Sequence, residues 1–271
     1  MQREIVKVIK GVETSDGAGV SLTRYIGSPQ LDMLDPFLLL DFFSSSDPDD
    51  YIAGFPEHPH RGFETVTYML AGRMRHRDHM GNEGVIGPGD VQWMTAGRGV
   101  LHSETPEQQD GLLQGFQLWV NLPAHQKMTA PAWRDYKAED IPLEKTEHSE
   151  IRVIAGTTDS GKTGPVAGIA TGPLFLDVRL NGQISQRIPE GHNAFVYVIE
   201  GHVNDVPAGH LGVFGPGDQA VLRGVDAHFL LIAAQRLDEP VSRAGPFVMN
   251  TREELLQAFD DYRAGRIAGG A

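Results

Sequence analysis

Short runs rich in Val, Tyr, Phe, Thr and Leu follow one another along the chain, with glycine and proline between them. That is the pattern of strands joined by tight turns in a sandwich or barrel. The first eleven residues, MQREIVKVIKG, alternate charged and apolar positions and do not resemble a signal peptide. Helical spacing is confined to one place. Thr251 and Glu254 stand at capping-box separation, and Leu255, Leu256 and Phe259 follow as an apolar stripe. This predicts one helix docked on the barrels, with residues 267–271 frayed beyond it.

The strand pattern occurs twice. Gly84-Val85-Ile86-Gly87-Pro88-Gly89-Asp90 returns as Gly212-Val213-Phe214-Gly215-Pro216-Gly217-Asp218, and the strand at Thr65 to Gly72 is echoed from Phe195 to Gly201. Each half reads strand, glycine turn, strand, Gly-Pro-Gly-Asp turn, strand. Proline sets the second turn position and glycine takes the positive φ at the third. A phosphate-binding loop would need a Lys-Ser/Thr pair and a following helix, and the first copy has neither. Two copies at this period predict two similar β domains. Their expected bounds are 1–135 and 136–271, with a linker in 124–150 marked by Pro131, Pro142 and mixed charge.

Composition narrows the function classes. The net charge of −13 argues against nucleic acid as a partner, since phosphate binding needs a basic patch. Arg73, Arg75, His76 and Arg77 are too short and interrupted a run for one and read as a solvated hairpin, with His76 and His79 on its surface. No cysteine is present, which excludes disulfides and thiolate ligation and fits a reducing, cytoplasmic setting. The longest apolar run, at 229–234, is too short to span a bilayer.

Against this background two pairs of residues stand out: His58-Pro59-His60, and His102-Ser103-Glu104. On a strand, residues i and i+2 point the same way. Two such strands facing one another would converge three imidazoles and one carboxylate on a point, a mononuclear metal site of nitrogen and oxygen ligands. Pro59 keeps its segment out of a fully paired central strand. Glu64 shares the parity of His58 and His60 and is expected on the same side, as a ligand or as an acceptor behind an imidazole, unless Gly62 introduces a bulge. The second half has Arg187 and Pro189 where the repeat offset places the first histidine pair, and Ala227-His228-Phe229 near the second, so one metal site per chain is expected.

These motifs resemble the pirin family. The resemblance rests on His58-Pro59-His60-Arg61-Gly62-Phe63-Glu64-Thr65-Val66, on the segment from Gly87 to Gly99, and on His102-Ser103-Glu104. Asp35 to Asp41, Gly115 to Pro123 and Gly245 to Thr251 extend it over nearly the whole chain. The resemblance implies an all-β bicupin: two β-barrel (double-stranded β-helix) domains face to face, with a C-terminal helix. It implies a divalent metal in the first barrel held by His58, His60, His102 and Glu104, with Glu64 behind the ligands. Phe55, Trp93, Phe116 and Gln117 become candidate pocket residues, the aromatic ones equally suited to the core.

The activity implied is quercetin (flavonol) 2,3-dioxygenation with O2 and release of CO, with Glu104 as the catalytic base. Fe(II) is the expected cofactor, and the ligand set also suits Zn, Ni, Cu or Mn. The rival reading is a metal- or redox-sensing binding protein that regulates a transcription factor or a metabolic enzyme without turnover. A structural zinc site is a poorer match, since such sites are closed and sulfur-rich. The expected partners are a flavonol-like aromatic substrate and O2, with a regulatory protein as the alternative, no direct nucleic acid and no membrane. A bicupin buries one barrel against another, so a monomer is expected.

Overall fold

The computed structural model describes residues 1–267, and strands dominate it, with the single α-helix among the described residues at Arg252–Arg263. Both Gly-Pro-Gly-Asp segments are turns between strands, with Gly89 at φ +82° and Gly217 at φ +145°. Strands Glu83–Ile86 and His210–Phe214 enter these turns, and Val91–Thr95 and Gln219–Gln235 leave them. None of the described helices is long and apolar enough to cross a membrane.

The chain forms two compact units, and neither is a continuous half. One comprises residues 1–12, 28–36 and 139–237; the other comprises 13–27, 37–138 and everything from 238 onward. The expected cut at 135/136 lies close to one of these boundaries, but both ends of the chain cross over. Ile5–Lys10 pairs with His210–Phe214, and Gln2 and Arg3 pair with Gln219 and Ala220, so the first residues cover a sheet edge of the second repeat. The expected linker is itself partly strand: Ala132–Tyr136 pairs with Val91–Thr95, and Leu143–Lys145 pairs with Ser149–Ala155.

The unit of the second repeat is filled with aliphatic and aromatic side chains. Val153, Leu176, Val178, Val196, Val198, Leu222, Phe229 and Leu231 are all buried in one cluster. Ala227 and Phe229 belong to this cluster, whereas His228 between them is paired with Asp177 through Nε2 and Oδ1 at 2.6 Å. Alternation thus sends an alanine and a phenylalanine inward in the strand near the place expected for a second ligand pair.

The unit of the first repeat contains a seven-stranded sheet, with Phe63–Ala71, Leu113–Asn121 and Phe37–Ser45 adjacent, and a four-stranded sheet in the order 55–60, 100–106, 74–78, 83–86. Its apolar cluster gathers Val20, Leu22, Phe43, Met69, Met74, Ile86 and Leu113. The helix carries the expected capping box: Thr251 Oγ1 accepts from the Glu254 N–H at 3.2 Å, and Glu254 Oε2 accepts from the Thr251 N–H at 3.1 Å. Leu255 and Ala258 pack with Phe247, Met249 and Ile267. Ile267 is therefore buried, at 5 % exposure, and not frayed as the sequence suggested; an apolar side chain with an apolar pocket to enter overrides the tendency of end segments to loosen. The remaining residues of that expectation, 268–271, lie outside the described part.

The segment before the helix is tied to the strand that carries His60. The Val248 N–H donates to the Arg61 carbonyl at 3.0 Å, and the Arg61 guanidinium donates to Asp261 Oδ2 at 2.8 Å. Gly62, at φ +88°, makes this approach possible, because a Cβ there would lie 1.9 Å from the Val248 carbonyl oxygen. Lys127, only 1 % exposed, spans the junction and donates to the carbonyls of Gly62 (2.7 Å) and Val248 (2.9 Å) and to Asn121 Oδ1 (2.7 Å).

Burial lowers the Lys127 pKa from 10.5 to about 8, with Glu239 and Glu254 opposing the shift. The unfolded chain therefore binds more protons than the folded one between pH 8 and 10.5, and stability contributed at this site rises with pH across that window. Denaturant unfolding of the wild type against Lys127→Met should show this rise, roughly 2–4 kcal/mol in all, in the wild type alone.

Candidate metal centre

The strand Phe55–His60 is the outer strand of the four-stranded sheet, where Pro59 costs no ladder hydrogen bond on its open side. It pairs antiparallel with Val100–Pro106, placing His102 opposite His58 and Val100 opposite His60. Alternation brings His58, His60 and His102 to one face. The register shifts between His102 and Glu104, a bulge that turns Glu104 relative to the first strand.

The three imidazoles converge, with candidate ligand atoms all within 4.8 Å of one another. His58 Nε2 and His60 Nε2 are 3.0 Å apart. Two nitrogens each about 2.1 Å from one ion, at adjacent corners of an octahedron, would stand about 3.0 Å apart. His58 Nδ1 lies 2.8 Å from the Pro56 carbonyl; a proton donated there leaves Nε2 with its lone pair. His102 Nε2 is buried and has no hydrogen-bond partner. A buried polar atom without a partner is costly, and a cation at the centre of the cluster would satisfy it. The residues present thus fit a metal ion.

Electrostatics agree. Burial, reinforced by His58, holds His60 well below the usual imidazole range, with the Pro246 carbonyl opposing. Burial also lowers His102, with His60, His58 and His76 adding to the effect. Both rings are therefore neutral and able to ligate at neutral pH. Glu104, the expected fourth ligand, is not among the three side chains that converge; its pKa is raised by burial, against the stabilising influence of His58 and of the Thr67 hydroxyl. Thr67 Oγ1 is 3.1 Å from Glu104 Oε1 and 2.7 Å from the amide end of Gln117. One hydroxyl proton serves one acceptor. All three groups are satisfied when the Gln117 amide N–H donates to Thr67 and Thr67 donates to Glu104.

A cavity of about 760 Å³ opens on the cluster, with His58, His60, Glu104, Thr67 and Gln117 among its lining residues. Its walls are largely apolar, including Leu38, Phe43, Phe55, Met74 and Trp119. Of the expected pocket residues, Phe55 and Gln117 line it, whereas Trp93 and Phe116 do not. Thr67 pairs with Gln117, and the intervening positions Val66 and Tyr68 pair with Trp93 and Phe116. Pleating therefore puts Trp93 and Phe116 on the opposite face of the sheet.

Glu64 falls on that face too. It is paired with Thr95, whose hydroxyl donates to Glu64 Oε1 at 2.7 Å. Its expected place on the His58 side is overturned, because the positive-φ Gly62 ends one strand and the next restarts in the other sheet with its parity reset. Burial raises its pKa to about 7, with Thr95 and Trp93 opposing.

Two features escaped the sequence reading. His76 is not a surface residue: it is 1 % exposed, and its Nδ1 is 3.3 Å from His102 Nδ1. Burial lowers its pKa to about 4, with Asp78 opposing and His58 adding to the shift. The alternation Met74, His76, Asp78 was its signal, masked by the arginines between. Arg24 also reaches the cavity, donating to both oxygens of Asp41 (2.8 and 2.7 Å) and to Asp16 (2.8 Å). A lone aspartate inside the apolar run Phe37 to Phe43 was the mark of that pair. Burial raises Asp41 to about 6, with Arg24 opposing.

Two β-barrel domains, one closed by aliphatic side chains and one with a three-histidine cluster able to hold a metal in an open cavity, define a bicupin. Comparison with known proteins gives the family. Residues 19–120 match the Pirin family model and residues 175–268 match the Pirin C-terminal cupin domain. A pirin-like protein of Caulobacter vibrioides is 51 % identical, over 98 % of this chain and 99 % of its own. Human pirin is 43 % identical, over 93 % of this chain and 89 % of its own. The crystal structure of a quercetin 2,3-dioxygenase from Acinetobacter baumannii superposes with a TM-score of 0.89 at 34 % identity, covering 98 % of this chain and 99 % of that one. The chain belongs to the pirin family.

A divalent metal at about one hundred times its Kd should stabilise the fold by about 2.7 kcal/mol. Calorimetry should record this as a midpoint rise of about 5–10 °C, and the rise should be absent in His60→Ala.

Proposed function

We propose that the protein is a mononuclear metal dioxygenase that opens the central ring of a flavonol such as quercetin with O2 and releases CO. The supporting observation is the cavity. A chamber of about 760 Å³ with aromatic and aliphatic walls suits a flat, drug-sized aromatic molecule, and His58 and His60 of the three-histidine cluster stand at its lining. The name of the Acinetobacter structural relative points the same way. In this reading His58, His60, His102 and Glu104 hold the ion, and Fe(II) suits that set of three imidazoles and one carboxylate.

When bound, such an ion supplies a Lewis acid that polarises a substrate oxygen. The protein supplies the rest. Three neutral imidazoles and one carboxylate leave a net charge of +1 around a divalent ion, which favours an oxygen-anion form of the substrate. As its bond to the ion loosens, Glu104 would take the proton of the flavonol 3-hydroxyl, and its burial raises its proton affinity in the direction a general base requires. Thr67 donates to Glu104 and holds the carboxylate on the cavity side, with Gln117 behind it. Phe55, Trp119 and Leu38 keep water from the reacting ring.

The test is anaerobic reconstitution with Fe(II), followed by quercetin and O2, with CO release and loss of flavonol absorbance recorded. Glu104→Gln is expected to lower kcat by about 10²-fold or more with a smaller loss of quercetin affinity, and His58→Ala/His102→Ala to abolish metal-dependent turnover. Stoichiometric metal without turnover in the wild type would overturn the dioxygenase and favour a redox-sensing binding protein.

A further inference from the structure

His102 differs from the other two imidazoles in what stands behind it. His58 Nδ1 faces the Pro56 carbonyl, and the Pro246 carbonyl lies near His60, whose buried Nδ1 makes no hydrogen bond. Both are main-chain oxygens. His102 Nδ1 faces another ring: Nδ1 of His76, 3.3 Å away and buried. Two ring nitrogens at this separation share one proton, so one donates and the other accepts. Like His60 Nδ1, His102 Nε2 is a buried atom of the cluster without a hydrogen-bond partner. To offer it as a lone pair, the neutral ring must carry its proton on Nδ1. His76 Nδ1 is then the acceptor, and the His76 proton sits on Nε2.

The surroundings hold the His76 ring in place. The strand Met74–Asp78 pairs with Val100–Pro106 so that His76 lies opposite Glu104 and Asp78 opposite His102. The His76 ring stacks on Trp133, with centroids 5.5 Å apart and planes 15° from parallel. Its Nε2 is buried without a hydrogen bond, and Asp78 Oδ2 stands 3.9 Å from it. Asp78 is itself held by the Met80 and Asn82 N–H groups and the Asn82 amide. A carboxylate, an imidazole and a ligand imidazole thus stand in line behind the cluster.

We infer that His76 is a positioning residue of the metal centre, accepting the Nδ1 proton of His102 and thereby fixing the tautomer, the ring orientation and the donor strength of that ligand. The inference rests on the reading of the cluster as a metal centre. A ligating imidazole whose other nitrogen donates to a fixed acceptor is a better ligand, and loss of such an acceptor generally costs 10–100-fold in metal affinity. Because His58 Nδ1 faces a backbone carbonyl and His60 Nδ1 makes no hydrogen bond, His76 is a side chain through which substitution can tune the donor strength of one of these ligands.

The test uses the full chain and nickel(II), with Kd measured by chelator competition for the wild type, His76→Phe and His76→Gln, and metal-free unfolding midpoints recorded alongside. His76→Phe keeps a ring against Trp133 but has no acceptor, and should weaken nickel binding by about 10–100-fold. His76→Gln offers an amide oxygen and should recover most of the affinity. In the cobalt(II)-loaded protein the paramagnetically shifted His102 N–H proton should move in His76→Phe and return towards its wild-type position in His76→Gln. His76→Leu replaces His76→Phe where the larger ring does not fold. Nickel affinity within threefold of the wild type in the apolar variant overturns the inference. So does an equal loss in the apolar and glutamine variants, which would make His76 a packing residue. A wild type that takes up no nickel is a separate result, and overturns the metal reading together with this one.

Discussion

The direct pairing of His102 with His58 across two antiparallel strands is the constraint on which the rest of this structure depends. It sets three imidazoles against one another in a place where each loses water. Uncharged rings tolerate this, and two of the three are pushed firmly towards the uncharged form. Everything around the cluster serves that arrangement: an edge strand that admits a proline, a bulge that turns Glu104, and carbonyls and a buried histidine placed behind the rings. The second repeat shares the Gly-Pro-Gly-Asp turn and its flanking strands, but its interior is filled by aliphatic and aromatic side chains, Ala227 and Phe229 among them.

Much of this was legible in the sequence because strands have a period of two. The two histidine-bearing pairs, the repeated turns and the capped helix are all local patterns, and the residues that define them lie within a few positions of one another. Parity failed where the chain changed sheet. Parity puts Glu64 on the histidine face only where no break intervenes, and Gly62 is such a break: it ends one strand and a new one begins in another sheet, so counting by twos across it has no meaning. Trp93 and Phe116 looked like pocket residues by sequence proximity to the motifs, yet pleating turns both away from the cavity that Phe55 and Gln117 line.

The other gaps concern charge and distance along the chain. His76 was read as exposed because arginines flank it, although in a strand the neighbours of a residue face the other way. Arg24 and Asp41 are seventeen positions apart and meet only when Val20–Ile26 and Phe37–Ser45 pair. The exchange of the chain's two ends between the units left no local trace at all. It depends on pairings between residues about two hundred positions apart, such as Ile5–Lys10 with His210–Phe214.

That exchange has a consequence for the order in which the protein is made. The cavity wall includes Arg243, Gly245, Pro246 and Val248, whereas the histidines come from residues 58–102. Between them in the chain lies residue 139–237, the bulk of the other unit. During synthesis the three imidazoles emerge long before Val248 can dock on Arg61 and before Asp261 can pair with its guanidinium. A nascent chain would therefore carry its histidines in an open-sided half-chamber while the whole second barrel is translated. The part of the cavity wall formed by Arg243, Gly245, Pro246 and Val248 is thus the last to be made.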